Sequence, residues 1–232
     1  IRPFGPSRLT NEVHLPAVGF KNRPSKSLSR STRPRVHSLI LVLDNYDSFV
    51  HNLARYVRNQ GHETVVIRSD QIDAEGCERL NPDAIIVSPG PRRPSNAGCS
   101  VDVIQKLGPT IPTLGICLGH QAIGHAFGAD IIQVPPMHGL DSPVRHDGRG
   151  LFVGCPNPMA AGRYHSLAID RTSVPVDLVV TADTEDGTVM AVHHREYPIH
   201  GLQFHPESVL TSHGELNIMN FLGLARVPQS LA

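Results

Sequence analysis

The hydrophobic positions change their rhythm along this chain. Residues 1 to 38 sustain neither a period of 2 nor one of 3.6, whereas the apolar run Leu39 to Leu43 ends at Asp44 and Asn45, as a strand buried on both faces of a parallel sheet does. Asp47 or Ser48 can then cap a helix with Phe49, Leu53, Tyr56 and Val57 on one face and Gly61 at its end. Further strands are predicted at Thr64 to Ile67, Ala84 to Val87 and Thr113 to Ile116. A helix from about Gly98 to Leu107 lies between the last two, and another runs through Ala126. This βαβ rhythm predicts an α/β fold with a twisted, mostly parallel central sheet and helices on both faces.

The second half reads differently. Short apolar runs at Ile131 to Val134, Ala168 to Ile169, Leu178 to Ala182, Val189 to His193 and Ile199 to Phe204 are separated by turn-rich segments. Some of them are expected to form a small antiparallel extension of the sheet. A last helix, about Glu215 to Leu222, presents Leu216 and Met219 to the core, with Leu222 or Phe221 as further candidates. Residues 39–232 are thus expected to form one domain.

Charge separates the same two regions. Residues 1–38 hold eight Lys or Arg and a single acid, Glu12; removing these from the chain's 21 of each sign leaves 13 basic and 20 acidic residues. The body is mildly acidic, which disfavours nucleic-acid binding, and the Ser, Pro and Arg-rich leader is expected to be disordered. Being acid-poor, the leader resembles an organelle transit peptide, but it lacks a clear amphipathic helix; an over-extended reading frame and a remnant linker are the alternatives. A cytoplasmic location is expected, or a plastid if the leader is a transit peptide. No apolar run is long enough to span a membrane. The four cysteines, Cys77, Cys99, Cys117 and Cys155, form no C-x-x-C pair and suggest neither a zinc site nor a disulfide framework. The remaining histidines, His193 and His194 included, lack carboxylates at ligand spacing, so no metal site is expected.

One segment carries chemistry. In Thr113-Leu-Gly-Ile-Cys-Leu-Gly-His-Gln121 a strand runs into G-x-C-x-G and then a helix, the pattern of a nucleophile elbow. At a helix amino terminus the partial positive charge favours thiolate, the reactive form. A base is supplied by Gln203-Phe-His-Pro-Glu207: residues two apart on a strand share a face, so Glu207 can orient one His205 nitrogen and leave the other for Cys117. Either motif alone is weak. Together, both at the carboxyl ends of strands, they form a candidate catalytic triad.

These motifs, with Leu43-Asp-Asn-Tyr-Asp-Ser-Phe49, Ser88-Pro-Gly-Pro91, Met137-His-Gly139, His146-Asp-Gly-Arg-Gly-Leu-Phe152 and Arg163-Tyr-His-Ser-Leu167, resemble the class I (triad) glutamine amidotransferases, and among them the small subunits of anthranilate and aminodeoxychorismate synthases. The resemblance runs from about Leu39 to Leu222. It implies that Cys117 attacks the side-chain amide of L-glutamine, with His205 as acid and base, and that the backbone N–H groups of Gly90 and Leu118 receive the oxyanion. It implies further that Gln121 and the Ser166-Leu167 segment hold the α-amino and carboxylate groups. The implied partner is a chorismate-binding synthase subunit, in a heterodimer or larger complex; any magnesium would sit there, and no cofactor is expected in this chain. Activity is expected to be weak without the partner.

Two positions depart from the family pattern. Arg92 stands where a glycine is usual, so a positive φ there would cost on the order of 1 kcal/mol, and the cation could reach the substrate carboxylate. Met137-His-Gly-Leu-Asp141 lacks the Lys-Thr pair that commonly follows the glycine. A non-catalytic scaffold and a stand-alone γ-glutamyl hydrolase are the alternative functions.

Overall fold

Successive side chains of a strand point to opposite faces, and the first strand, β1 (Leu39–Asp44), uses both faces for apolar packing. The computed structural model describes residues 38–226; the leader up to His37 and residues 227–232 lie outside them, and with them the expectation of disorder at the N-terminus. Ile40 and Val42 of β1 pack with Val50, Leu53 and Val57 of α1 (Val50–Asn59) and with Ile218, Phe221 and Leu222 of α5 (Gly214–Arg226). Leu41 and Leu43 pack on the other side with Cys77 of α2 (Ala74–Arg79), Val103 and Ile104 of α3 (Ser100–Lys106) and Ile123 of α4 (Leu118–Ala126). Each fully buried Leu, Ile or Val contributes about 1.5–3 kcal/mol, so two apolar layers hold the sheet from both sides.

Among the described residues the sheet has nine strands. β2 (Glu63–Arg68), β1, β3 (Ala84–Val87), β4 (Thr113–Ile116) and β11 (Ile199–Leu202) are parallel neighbours in that order. β10 (Val189–His194), β9 (Leu178–Asp183), β6 (Leu140–His146) and β7 (Met159–Arg163) continue it antiparallel. A separate pair joins β5 (Ile131–Gln133) to β8 (Leu167–Ile169). The doubly covered parallel sheet and its antiparallel extension match the sequence reading. Among the described residues no helix is long and apolar enough to cross a membrane.

Several local expectations are corrected. α1 starts one residue after Phe49, because the Asp47 carboxylate accepts the Phe49 N–H at 3.1 Å and holds that residue at the cap; Phe49 is consequently exposed, and Val50 takes its place on the buried face. In α5 it is Ile218, Phe221 and Leu222 that are buried, while Met219 is exposed. α2 is an additional helix, begun by Asp73, whose side chain accepts the Gly76 N–H at 2.7 Å. β6 and β7 are additional strands. β6 buries alternate residues Ser142, Val144 and His146, a period of 2 that polar inward residues and Pro143 conceal; β7 has the low strand propensity of Met-Ala-Ala-Gly-Arg and forms because β6 pairs with it.

Candidate active site

In open α/β sheets, sites form at the carboxyl ends of strands near the point where strand order reverses. Here the chain leaves β1 in one direction for β2 and β3 flanks it on the other side, and the candidate residues follow β1, β3, β4 and β11.

Cys117 is the single residue between β4 and α4, with φ +51° and ψ −101°. Such a conformation costs about 1–3 kcal/mol and is held by the Cys117 N–H, which donates to Leu202 O at 2.7 Å. The flanking glycines are required by space: a Cβ on Gly115 would strike the Gly119 carbonyl, and one on Gly119 the Val87 carbonyl. The elbow predicted from G-x-C-x-G is therefore present, with its sulfur at the head of α4.

The loop after β3 is fixed from β1. Asn45, buried, donates its N–H to Ser88 Oγ at 2.9 Å and its Nδ2 to Ser88 O at 3.2 Å, while its Oδ1 accepts from Ser100 Oγ at 3.0 Å. A Cβ on Gly90 would collide with Asn45 and lie 3.0 Å from a methyl of Leu118. Gly90 and Leu118 are thus neighbours, and the Leu118 N–H, in the first turn of α4, lacks an intrahelical acceptor. The clamp of Asn45 on the Ser88–Gly90 loop was not legible in the sequence, since its partners Ser88 and Ser100 lie 43 and 55 residues away.

Beyond β11, His205 Nδ1 lies 2.6 Å from Glu207 Oε1, with both side chains buried. The His205 backbone is pinned by its N–H to Gly162 O at 3.1 Å and by Thr211 Oγ1, which donates to its carbonyl at 2.7 Å. Tyr164 closes over the ring edge-on at 5.0 Å. The other nitrogen, Nε2, is buried, and Cys117 is the neighbour that acts on the ring from outside the Glu207 pair. Burial opposes charge on the ring, but Cys117 and then Glu207 outweigh it and hold the imidazole well above its usual pKa. That balance favours the protonated ring.

A second buried group is oriented by one-way chemistry. Arg163 Nε donates to His165 Nε2 at 3.1 Å; as guanidinium can only donate, the His165 proton is on Nδ1, 2.9 Å from Leu167 O. Burial and then the Arg163 charge push His165 down to about 4, which keeps it neutral. The Leu167 carbonyl also accepts Gln121 Nε2 at 2.9 Å. Gln121, Ser166 and Leu167 are thereby brought together. Gln121 Nε2 further donates to Gln203 Oε1 at 3.2 Å, so both its donors are engaged and its free capacity is that of an acceptor.

The set-aside histidines are packed: His194 stacks on Tyr197 at 4.2 Å and meets Phe127 at 4.6 Å, and His193 stacks on His200 at 6.1 Å.

A model of the family "Glutamine amidotransferase class-I" matches residues 41–224. The chain belongs to the class I glutamine amidotransferases. It is 50% identical over 186 residues to an anthranilate synthase component 2 of Porphyra purpurea, covering 79% of this chain and 98% of that one. It is 45% identical over 185 residues to an aminodeoxychorismate/anthranilate synthase component 2 of Bacillus subtilis, covering 79% and 95%. Among solved structures it is similar to a putative GMP synthase subunit of Thermoplasma acidophilum, with TM-score 0.74, 26% identity and coverage of 82% and 95%.

Two further features of this amidotransferase bear on its stability. Arg92 has φ +73°, the conformation for which a glycine is suited, and it lines a cavity of about 560 Å³ beside the elbow with Tyr46, Pro91 and Leu118. Relief of about 1–2 kcal/mol of left-handed strain, offset by the greater unfolded freedom of glycine, leads to the expectation that Arg92→Gly stabilises the protein by about 0.5–1 kcal/mol. A lower denaturation midpoint for the variant would contradict this.

Asp47 is a second carboxyl, beside Glu207, at the candidate triad. Burial, followed by the negative charge of Glu207, raises it to about 6. A raised acid favours the fold below its unfolded value near 4, and that contribution is lost as pH rises through about 6. Asp47→Asn, which retains an acceptor for the Phe49 N–H, is expected to gain about 1–2 kcal/mol over wild type at pH 8, after allowance for partial exposure, and to lose the gain below about pH 4. Denaturation midpoints at the two pH values provide the check; a gain independent of pH would mean that Asp47 is not titrating.

Proposed function

We propose that this chain hydrolyses L-glutamine to glutamate and ammonia through Cys117, His205 and Glu207, and passes the ammonia to a chorismate-using synthase subunit. The observation that carries the reading is the buried His205–Glu207 contact of 2.6 Å facing a cysteine on a strained elbow. The Cys117 sulfur attacks the side-chain amide carbon, and the oxyanion is received by the N–H groups of Gly90 and Leu118. Charged His205 donates its proton to the departing ammonia; the neutral ring then takes a proton from the water that opens the thioester. Glu207 keeps the ring oriented. Gln121 offers Oε1 to the α-ammonium of glutamine, because its amide hydrogens are committed to Leu167 and Gln203.

A synthase partner is supported by the relatives named anthranilate synthase component 2 and aminodeoxychorismate/anthranilate synthase component 2. Low activity in the free subunit and completion of the site when a partner presses on the Gly90–Leu118 region are part of this proposal. Exposed Tyr46 and Phe49, on the same β1–α1 turn as Asn45, give that partner an aromatic surface continuous with the loop clamp. Ammonia release from glutamine, measured with and without the co-expressed synthase subunit, tests the proposal. Partner-dependent release is expected; equal turnover with and without the partner would rule out activation, and no release from a stable complex would rule out the glutaminase itself.

A further inference from the structure

Gln203 lies outside the triad, yet it touches the nucleophile. It is fully buried just beyond β11, its backbone N–H donates to Met190 O at 2.9 Å, and its side-chain Nε2 is 3.7 Å from Cys117 Sγ. The direction of that contact is fixed by a chain of partners. Leu167 O can only accept, so the Gln121 amide nitrogen faces it; the same nitrogen donates to Gln203 Oε1 at 3.2 Å. With its oxygen so placed, Gln203 presents its NH₂ to the sulfur. Gln121 Nε2 thus donates both to Leu167 O and to Gln203 Oε1, and Gln203 in turn donates to Sγ.

We infer that Gln203 is a positioning residue of the glutaminase, donating its amide N–H to the Cys117 sulfur and tying it to Gln121 in the glutamine-binding cluster. A hydrogen bond to an ionised group is stronger than one to its neutral form, so an obligatory donor favours thiolate over thiol. Cys117 and Gln203 are both buried, and the low local dielectric strengthens the contact. Tethering through Gln121 also couples the nucleophile to the group that meets the α-ammonium: a substrate lacking that ammonium would leave the near end of the relay unpolarised. The inference rests on the triad reading above, but its test does not require turnover.

The test is alkylation of Cys117 by iodoacetamide as a function of pH, followed by mass spectrometry on the peptide that carries it, which separates it from Cys77, Cys99 and Cys155. Only thiolate reacts. Gln203→Met keeps length and removes the donor; Gln203→Glu keeps shape and the acceptor for Gln121 but sets a carboxylate against the sulfur. The midpoint of the alkylation profile is expected to rise by about one pH unit in Gln203→Met, a tenfold loss of thiolate below the midpoint, and further in Gln203→Glu. Both variants should regain alkylation rate as pH is raised. A merely structural role would lower stability without moving the midpoint, so an unchanged midpoint in either folded variant overturns the inference. If Gln203→Met does not fold, the near-isosteric Gln203→Glu carries the test. Failure of the glutaminase reading would show separately, as wild-type protein in complex that releases no ammonia.

Discussion

Cys117→Ser in the complex is expected to release ammonia from glutamine at least about 10⁴-fold more slowly than wild type, while the same complex still aminates its acceptor from added ammonium salt. Serine retains the volume and the backbone of the elbow, and Gly115 and Gly119 still permit the turn, so the fold should survive. What is lost is an ionisable nucleophile. The Gln203 amide and the charged His205 ring are arranged around sulfur, and neither makes a hydroxyl ionise near neutral pH. Comparing glutamine-fed with ammonium-fed product formation separates loss of the glutaminase from damage to the partner. Ammonia release that persisted in Cys117→Ser would remove Cys117 from the mechanism; loss of both activities would mean that the complex had not assembled.

Glu207→Gln should lower kcat/KM for glutamine by about 10²-fold or more and displace the alkaline limb of its pH profile towards neutrality. His205 is held above its ordinary pKa against the effect of burial, with Cys117 the larger support and Glu207 the next. Glutamine at 207 can still accept from Nδ1 but carries no charge, so the imidazolium loses part of that support and deprotonates at lower pH. Because the ring must be charged to protonate the departing ammonia, activity then falls at a lower pH than in wild type. The folding consequence has the same sign: His205 contributes stability below its unfolded pKa and loses it as pH rises through the raised value, and the substitution narrows that window from above. An alkaline limb that stayed in place would mean that Cys117, not Glu207, sets the charge of His205.

These expectations depend on different reaches of the chain. The elbow was legible because its causes are local: two glycines around a cysteine, a strand before and a helix after. His205 and Glu207 were legible as a pair two residues apart at a strand end. Phe49 was misread because its burial depended on where α1 begins, and that was decided by an Asp47 side chain bonding the Phe49 N–H. β6 and β7 escaped notice because Ser142, His146 and Gly162 satisfy pairing partners or close neighbours that no apolar alternation announces. Arg92 is a mixed case: the family pattern flagged the missing glycine, and the positive φ gave the departure its physical meaning.

The sequence by itself determined the parallel core and marked the candidate nucleophile and its candidate base, because hydrophobic period, glycine placement and short-range spacing act within a few residues. Only the tertiary structure decided that Asn45 clamps the Gly90 loop, that Arg163 fixes the His165 tautomer, and that Gln203 joins Gln121 to Cys117. Those contacts depend on which strand ends lie side by side in the sheet, and a hydrogen-bond chain acquires its direction only when every donor has met its acceptor in space.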